Sequence, residues 1–305
     1  MVPEKALVVV HMVTYNHEGH IARAVESVMM QQASFSYKVF IGEDHSTDRT
    51  REICLELKAK YPERIELFLN QDNLGGSLNS IKLLRACLEY GSKYIAMLEG
   101  DDFWTDPYKL QKQIDKLVQD ENCIASFHNV AIIDNNEKIL GVVYPEAICD
   151  LVFEDLLKGK FIKTPSIVFR NILRKDLADF IVDDTTFGLY LLRNGGYASY
   201  IDETMAAYRT HEGGIWSKKN SYERYLLSKK SIDSIQNQYR KQYPLLVNKF
   251  LYDNYYANIS SLFRGKFYRQ GFVLVSRIFN YRLIRFARAR HIYNMTKSFF
   301  VSFIK

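Results

Sequence analysis

The stretch that decides the fold is YIAMLEGDDFWTDP, residues 94–107, in which an apolar run leads directly into a group of acidic residues. The five residues from Tyr94 to Leu98 form a short unbroken apolar segment, which is typical of a strand buried on both faces of a sheet. Glu99, Asp101 and Asp102 should therefore emerge at the carboxyl end of this strand. In an open α/β sheet, that edge is where ligands bind.

Three carboxylates within four residues repel one another, and a bound cation offsets that repulsion. Mg²⁺ and Mn²⁺ prefer oxygen ligands and share their remaining coordination positions with substrate phosphates. The alternative is a solvated loop that caps the next helix, because Asp106-Pro107 is a favourable cap and first-turn pair. A helix cap accounts for Asp106 but not for the other three carboxylates, so the sequence favours a divalent metal site.

Composition indicates a large globular protein with an appendage. The chain has 305 residues, of which 47% are hydrophobic, and this is enough for one α/β domain with a substantial core. No run approaches the roughly 18 apolar residues that cross a membrane, and the N-terminal residues lack the features of a signal peptide. The cysteines are far apart, which predicts buried free thiols in a reducing cytoplasm: Cys54, Cys87, Cys123 and Cys149.

The positive charge is concentrated at the C-terminal end. The formal net charge is +6, yet no acidic residue follows Asp253, while ten basic residues do. The first 253 residues carry 31 basic against 35 acidic residues, a net charge of −4. Any electrostatic attraction to an anionic partner therefore belongs to the C-terminal segment.

Strands and helices alternate over the first hundred residues. Apolar runs predict strands at 6–16, 37–42, 65–69 and 94–98, and helical spacing predicts helices after each of the first three. This order is typical of a mostly parallel, doubly wound sheet whose ligand crevice lies at the strand ends. We expect Tyr15, Asp44, Gly75 and Asp101 to meet there.

The later part of the chain predicts a change of architecture. A helix from Asp106, strands at 123–134 and 164–169, a helix at 188–196 and the short strands YASYID and MAAYRTH are expected before residue 217. Beyond it, four helices are predicted at roughly 221–240, 243–263, 265–279 and 282–303. The expected domains are 1–217, with halves at about 1–105 and 106–217, and a helical extension at 218–305.

The motifs of the first domain resemble those of glycosyltransferase family 2, the inverting nucleotide-sugar transferases of GT-A fold. The matching pieces occur in the family's order over about residues 5–217: HMVTYNHEGHI, IGEDHSTDRT, NLGGSLN, LEGDDFWTDPYKLQKQ and YIDETMAAYRTHEGGIWS. Each motif alone is weak, and their succession is specific. The resemblance implies a donor such as a UDP- or GDP-sugar and Mn²⁺ or Mg²⁺ as the cofactor.

The resemblance also implies roles for individual residues. Asp102 would ligate the metal, whose positive charge offsets the charge on the leaving diphosphate. Asp44 would accept from a base N–H, and Asp101 would contact the ribose. Glu43 stands where many relatives have Asp, and Leu74 where they often have a basic residue. The expected nucleotide-binding residues are Thr14, Tyr15, Asn16, Glu43, Asp44, Gly75, Asn79 and Asp101.

A base must remove the proton of the acceptor hydroxyl, and Asp183-Asp184 resembles the family's acidic base motif. We expect Asp184 to be the base, with Asp183 as the second candidate, although Asp184 could instead cap the following helix. His211 could reach the metal or the diphosphate, and it could equally be a surface residue.

Bulky side chains are expected around the sugar and acceptor subsites, together with Glu99. Trp104 and Trp216 are the candidates, and Trp104 could equally pack under the sheet. His11 and His128 lie in apolar strands and are interpreted as core residues without a chemical role.

The C-terminal segment interleaves aromatic and basic residues, which permits three interpretations. Amphipathic helices on an anionic membrane are favoured, because acceptors of such enzymes are often lipid-linked. A helical subdomain with an aromatic core is the alternative, and nucleic-acid binding is the least favoured. The favoured interpretation predicts a cytoplasmic protein, peripheral on the inner face of the cell membrane.

The activity expected is sugar transfer to a hydroxyl of a glycan or lipid-linked acceptor, in surface polysaccharide synthesis. A sugar-nucleotide pyrophosphorylase would need a glycine-rich basic loop after the first strand, and TYNHEGHI has one glycine and no lysine. A nucleotide- or membrane-binding module without catalysis would have no need of a base such as Asp184.

Overall fold

The computed structural model describes residues 5–144, 148–180, 183–210, 219–281 and 283–286. The chain forms two compact units, which are described separately. Unit 1 comprises Met1–Phe153 and Phe161–Thr210, and unit 2 comprises Glu154–Lys160 and His211–Lys305. The predicted domain boundary at residue 217 lies outside the described residues. Within the described residues, one nine-stranded sheet runs through both predicted halves of the first domain.

The first half of unit 1 alternates strands and helices, as predicted. Its four strands are parallel, in the spatial order β3-β2-β1-β4. Val8, Val9 and Val10 are fully buried, which explains the unbroken apolar run of the first strand. The elements are β1 Val8–Thr14, α1 Ile21–Met29, β2 Tyr37–Glu43, α2 Thr50–Lys60, β3 Ile65–Leu69, α3 Gly76–Tyr90 and β4 Tyr94–Glu99.

The strand order reverses between β1 and β4. From β1 the chain moves outward to β2 and β3, and then returns to place β4 on the other side of β1. The carboxyl ends of β1 and β4 are neighbours, with Val13 opposite Glu99. A crevice at such a switch point is where open α/β sheets bind ligands.

The second half of unit 1 makes the sheet mixed. Strand β8 runs antiparallel to both β4 and β6, whereas β9 is parallel to β6 and antiparallel to β5. The elements in chain order, with α5 extending into unit 2, are β5 Phe103–Trp104, α4 Lys109–Gln119, β6 Cys123–Ile133, β7 Ile139–Val142, α5 Phe153–Leu157, a 3₁₀ turn Thr164–Ser166, β8 Val168–Arg170, α6 Leu177–Phe180, α7 Asp184–Leu192 and β9 Tyr197–Arg209.

The prediction of two short strands near residue 200 is wrong. YASYID and MAAYR belong to one strand, β9, which pairs along most of β6. The polar residues Asp202 and Glu203 interrupt the apolar pattern, but they lie exposed on the strand. A shift of register at His128 and Asn129 lets the pairing continue past them.

Unit 2 contains three long helices, α8 Ser221–Tyr239, α9 Pro244–Arg264 and α10 Tyr268–Asn280, followed by a 3₁₀ turn, Leu283–Phe286. Aromatic residues form much of its interior: Tyr255 is 1% exposed, and the rings of Phe263 and Phe272 meet edge to face at 5.3 Å. The predicted last helix lies mostly outside the described residues. Within the part of the chain that is described, no helix is long and apolar enough to span a bilayer.

Candidate active site

A carboxylate cluster lies at the carboxyl end of β4, as the sequence predicts. One oxygen from each of Glu99, Asp101 and Asp102 can be chosen so that the three lie within 4.8 Å of one another. Strand β4 ends at Glu99, and Asp102 precedes the short strand β5, so both sides of the cluster are anchored to the sheet. This donor set consists of hard oxygen atoms, which suits Mg²⁺ or Mn²⁺.

Asp102 is the most buried member of the cluster, with 1% of its surface exposed. Its Oδ1 accepts a hydrogen bond of 2.8 Å from the backbone N–H of Arg209. Its Oδ2 is also buried and has no hydrogen-bond partner among the described residues. Burial raises the pKa of Asp102 well above its ordinary value, and the charges of Asp101 and Glu99 add to this effect. A cation beside Oδ2 would supply the missing partner.

Lys163 is a site residue that sequence reasoning missed. Its ammonium lies 3.5 Å from the ring centroid of Tyr208, and its pKa is raised by Tyr208, Asp184, Glu99 and Asp102 despite the opposing effect of burial. Its positive charge in turn lowers the pKa of the surrounding carboxyls. Lys163 precedes the turn Thr164–Ser166, and its local sequence carries no motif that points to the cluster.

Glu99 shares this electrostatic environment. Burial raises its pKa to about 8, with Asp184 and Asp101 contributing and Lys163 opposing the rise. The carboxyl groups of Glu99 and Asp184 therefore influence one another, although 84 residues separate them in the chain. The acidic cluster and the predicted base lie in one electrostatic site.

The two aspartates before α7 have different surroundings. Asp183 is the helix cap: its Oδ1 accepts from Thr186 N at 3.0 Å and from the Thr186 hydroxyl at 3.0 Å. The helix cap is thus Asp183, and the capping role considered for Asp184 is not observed. Asp184 is an exposed residue, yet partial burial of its carboxyl group raises its pKa; the charge of Asp183 adds to this rise, whereas Lys163 and a hydrogen bond with Thr164 oppose it.

The end of β1 closely approaches the cluster. Thr14 is buried, and its hydroxyl lies 3.3 Å from Nδ1 of His17, whose Nε2 lies 3.6 Å from Oδ2 of Asp101. A methyl group on Gly100 would lie only 2.6 Å from the Thr14 hydroxyl. Tyr15 is 40% exposed beside this contact. His17 is a second residue that the sequence interpretation missed.

Other predicted nucleotide-binding residues form a buried polar network. Asp44, which is 1% exposed, accepts from the backbone N–H groups of Leu74 and Gly75 at 2.9 and 2.8 Å. Glu43 is fully buried and pairs with Arg51. Asp44 thus holds the loop before α3, and Glu43 accepts from Ser46 N in the loop before α2. The sequence interpretation did not give the two carboxylates this structural role.

Of the two predicted amides, Asn79 belongs to this buried network and Asn16 does not. The Asn79 side chain donates to Gly42 O at 2.8 Å, and its oxygen accepts from Asn70 at 3.0 Å. Asn16 lies at the surface, with positive φ, and its oxygen accepts from Thr47 N at 2.8 Å. Gly75 also has positive φ, at 80°, which suits glycine at the start of α3.

Trp104 does not line a sugar subsite. It is 1% exposed, and its indole N–H donates to Pro165 O at 3.1 Å, so it packs in the core, the alternative considered from the sequence. The ammonium of buried Lys109 lies 4.1 Å from the centroid of the Trp104 ring. His11 and His128 are buried as expected, whereas His211 and Trp216 lie outside the described residues. Cys149 is exposed, in contrast to the other three cysteines.

Arg209, at the end of β9, is the third missed residue. Its guanidinium donates to the backbone oxygens of Asp101, Asp134 and Asn135 at 3.2, 3.2 and 3.3 Å. It also forms an ion pair of 3.2 Å with Glu137. The sequence signal was an arginine next to the apolar run MAAY, and it does not reveal which residues lie opposite.

The fold and the acidic site together define the class of protein. A mixed α/β sheet flanked by helices, with the strand ends of β1 and β4 meeting at a carboxylate cluster, is the architecture of GT-A glycosyltransferases. TarS 1-349 of S. aureus in complex with UDP-GlcNAc superposes with a TM-score of 0.57 at 15% identity, covering 95% of this chain and 90% of that one. The mannosyltransferase PcManGT of Pyrobaculum calidifontis, with GDP-Man and Mn²⁺, gives 0.58 at 13% identity, covering 99% and 87%.

The sequence comparisons identify the family. Residues 9–170 match the profile of glycosyl transferase family 2, and the chain belongs to this family. The uncharacterized protein Rv1520 of Mycobacterium tuberculosis is 34% identical over 67% of this chain, which spans only 59% of that relative's length. The dTDP-rhamnosyl transferase RfbG of Shigella flexneri is 27% identical over 81% of this chain and 87% of its own length.

Proposed function

We propose that the protein transfers a sugar from a nucleoside-diphosphate sugar to a hydroxyl group of a glycan or lipid-linked acceptor, with inversion at the anomeric carbon. The observation that carries this proposal is the unpartnered, buried Oδ2 of Asp102 within the carboxylate cluster at the switch point of the sheet. A buried carboxylate oxygen is costly without a partner, so the site fits a cationic ligand.

A nucleotide-sugar donor is supported by what the relatives bind or use. The TarS structure holds UDP-GlcNAc, the PcManGT structure holds GDP-Man and Mn²⁺, and RfbG is named a dTDP-rhamnosyl transferase. The chain's own support is the reversal of strand order between β1 and β4, whose carboxyl ends are neighbours. Thr14 ends β1, exposed Tyr15 follows it, and Asp101 follows the end of β4.

The residues suited to hold a divalent metal are Asp102, through Oδ2, and its neighbours Asp101 and Glu99. His211 remains a proposed additional ligand. The metal, when bound, would neutralise the charge on the departing diphosphate. The protein itself orients Asp102 by the hydrogen bond from Arg209 N to Oδ1.

Asp184 is proposed as the general base. The acceptor hydroxyl attacks the anomeric carbon, the bond from that carbon to the diphosphate oxygen breaks, and the hydroxyl proton passes to the Asp184 carboxylate. Two observations support Asp184 over Asp183. Asp183 is committed to the cap of α7, whereas Asp184 is exposed and in electrostatic contact with Glu99 and Lys163.

The buried network of Glu43, Asp44 and Asn79 is proposed to act indirectly on the nucleotide. Asp44 fixes the backbone of Leu74 and Gly75 in the loop between β3 and α3. Direct contacts with the base would then come from exposed neighbours such as Tyr15 and Leu74, which are 40% and 38% exposed.

An anionic lipid surface is proposed as the partner of unit 2. Arg264, Lys266 and Arg269 are exposed within one short segment, and Val273 and Phe279 on α10 are 46% and 56% exposed. Exposed basic and apolar residues within the range 264–279 suit an interface of anionic headgroups and acyl chains. A lipid-linked acceptor would be met at such a surface, and the site of action would be the inner face of the cell membrane.

The experiment that tests the function is incubation with a panel of UDP-, GDP- and dTDP-sugars, Mn²⁺ and a generic acceptor. Release of nucleoside diphosphate is the expected result, and Asp102→Asn should abolish it. Release of pyrophosphate would instead indicate a pyrophosphorylase. Absence of any turnover with all donors, together with nucleotide binding, would identify a binding module and contradict the proposal.

A further inference from the structure

We propose that Arg209, the last residue of β9, is a positioning residue that sets the geometry of the aspartates proposed to bind the metal. This inference rests on the proposed function, because it assigns to Arg209 the orientation of the carboxylates that would hold the cation. Arg209 does not belong to the carboxylate cluster and precedes the segment 211–218, which lies outside the described residues.

Arg209 contacts both aspartates through different atoms. Its backbone N–H donates to Oδ1 of Asp102 at 2.8 Å, and its Nε donates to the backbone oxygen of Asp101 at 3.2 Å. One oxygen of Asp102 is therefore occupied, and the other, Oδ2, is left for a cation. The Asp101-Asp102 peptide is held at the same time, so the direction of Oδ2 is fixed.

The outer end of the Arg209 guanidinium is anchored to a turn elsewhere in the sheet. Nη1 donates to the backbone oxygens of Asp134 and Asn135 at 3.2 and 3.3 Å, and Nη2 pairs with Glu137 at 3.2 Å. These three residues belong to the turn between β6 and β7. Arg209 thus connects this turn to the aspartates.

Burying the positive charge of Arg209 costs free energy unless its donors are paired. Only 3% of the Arg209 side chain is exposed, while its ionic partner Glu137 is 45% exposed. A buried guanidinium persists when its donors are satisfied, and here it has acceptors at four residues. The planar fork of arginine can reach acceptors in different directions, whereas lysine presents a single ammonium. Position 209 therefore requires arginine, because lysine could not reach all of these acceptors.

The test is the affinity of the protein for Mn²⁺ alone, followed through the electron paramagnetic resonance of the free ion. Partners that orient metal ligands typically contribute about 10- to 100-fold to metal affinity. We expect Arg209→Met to weaken Mn²⁺ binding by at least about 10-fold, and Arg209→Lys to weaken it by less. The Mn²⁺ binding that is lost in Asp102→Asn is taken as the binding at this site.

Arg64→Met is the control, because Arg64 is another partly buried arginine of unit 1 that donates to a backbone oxygen and packs on an aromatic ring. It donates to Tyr37 O at 3.3 Å and lies 4.0 Å from the Tyr37 ring centroid. This variant should keep the affinity for Mn²⁺ of the unsubstituted protein, even where its melting temperature falls. An equal loss of affinity in both variants would mean a general effect of destabilisation and would overturn the inference.

The remaining outcomes separate this inference from the proposed function. Unchanged Mn²⁺ binding in folded Arg209→Met overturns the inference alone. No Mn²⁺ binding by the unsubstituted protein overturns the metal-assisted function, and the inference with it. If Arg209→Met shows no cooperative unfolding transition, it does not fold, and the Mn²⁺ affinity is then measured with Arg209→Lys and Glu137→Gln. Unchanged affinity in both of these variants would then contradict the proposal.

Discussion

At the scale of single residues, Lys163 carries a positive charge among carboxyl groups that would otherwise repel one another. Burial works against its charge, yet its pKa is raised, because Tyr208 and the carboxyls of Asp184, Glu99 and Asp102 favour the ammonium. The same attraction acts on the carboxyls in the opposite direction. Lys163 therefore affects the pH range in which the proposed base Asp184 is ionised.

The role of Asp184 predicts a specific kinetic defect. Asp184→Asn keeps the shape of the side chain but cannot accept the acceptor's proton, so turnover should fall about 10²- to 10⁴-fold. Nucleotide affinity, measured by calorimetry with a nucleoside diphosphate and Mn²⁺, should stay unchanged. Asp183→Asn is the control, since it should affect the stability of α7 more than catalysis. Undiminished turnover in Asp184→Asn would transfer the base role to Asp183.

Removal of Lys163 should shift the pH dependence of the reaction. Lys163 lowers the pKa of Asp184, so Lys163→Met raises it further. Because the base acts in its ionised form, the rising acid limb of the kcat profile should move to higher pH. Lys138→Met, at an exposed turn position, is the control that should leave the profile in place. A profile unmoved in Lys163→Met would contradict this electrostatic role.

The predictability of the site depends on where in the chain its charges lie. Glu99, Asp101 and Asp102 could be found because they are neighbours in sequence and follow an apolar strand. Lys163 and Arg209 could not, because they reach the cluster through contacts between distant segments. Asp44 was found as a residue of interest, but its hydrogen bonds to a loop 30 residues later give it a structural role that no local pattern indicates.

At the scale of elements, the contact between the ends of β1 and β4 limits which residue can occupy position 100. Gly100→Ala would place a methyl group 2.6 Å from the Thr14 hydroxyl and 2.8 Å from its Cβ. Relieving such overpacking typically costs about 1–3 kcal/mol, so we expect a loss of that size in the free energy of unfolding, together with weaker nucleotide binding. Urea denaturation measures the first and calorimetry the second.

Gly19→Ala provides a matched comparison for Gly100→Ala. A methyl group at Gly19 would meet nothing within 4 Å, so the stability should change by less than about 0.5 kcal/mol. Equal effects of the two substitutions would show that the close approach at Gly100 has no energetic consequence.

The pairing of the strands was predictable in the first half of the sheet and not in the second. Alternating apolar strands and helices predict β1 to β4 as parallel neighbours, because a helix returns the chain to the same edge. The later strands are separated by loops and short helices, which allow either direction. Strand β9 continues without a break because it pairs along β6. In the sequence, Asp202 and Glu203 interrupt the apolar pattern of β9, so the pattern predicts two strands instead of one.

At the scale of the whole molecule, the charge asymmetry predicts salt-sensitive binding to anionic vesicles. Reversal of Arg264, Lys266 and Arg269 to Glu removes three exposed positive charges, each of which contributes about 1 kcal/mol near an anionic surface. Flotation with phosphatidylserine vesicles should therefore fall by about 100-fold or more in partition coefficient.

The control for vesicle binding is a triple reversal on unit 1. Lys93, Lys116 and Lys138 are exposed there, and their change to Glu alters the net charge by the same amount. This variant should still float at low salt. If both variants float equally well, the segment 264–269 is not the contact, and the helical-subdomain interpretation gains support from the aromatic interior of unit 2.

The aromatic interior also shows the limit of composition as a guide to this unit. Arg277 is one of the basic residues of the C-terminal segment, but it is half-buried, and its guanidinium lies 5.9 Å from the ring centroid of Tyr255. Arg240 similarly lies 4.7 Å from the ring of Tyr281. The sequence predicts the bounds of α8, α9 and α10 to within a few residues. Which basic residues pack against aromatic rings and which lie at the surface can be known only from the folded structure.

The hydrogen bond from Arg209 N to Asp102 has a consequence for biosynthesis, because its two residues lie 107 positions apart. At about 5–20 residues per second, the ribosome adds Arg209 roughly 5–20 s after Asp102. During that interval the nascent chain contains the Asp102 carboxylate but not the backbone amide that pairs with it. The orientation of Oδ2 is therefore set only after the whole of β9, which ends at Arg209, has been synthesised.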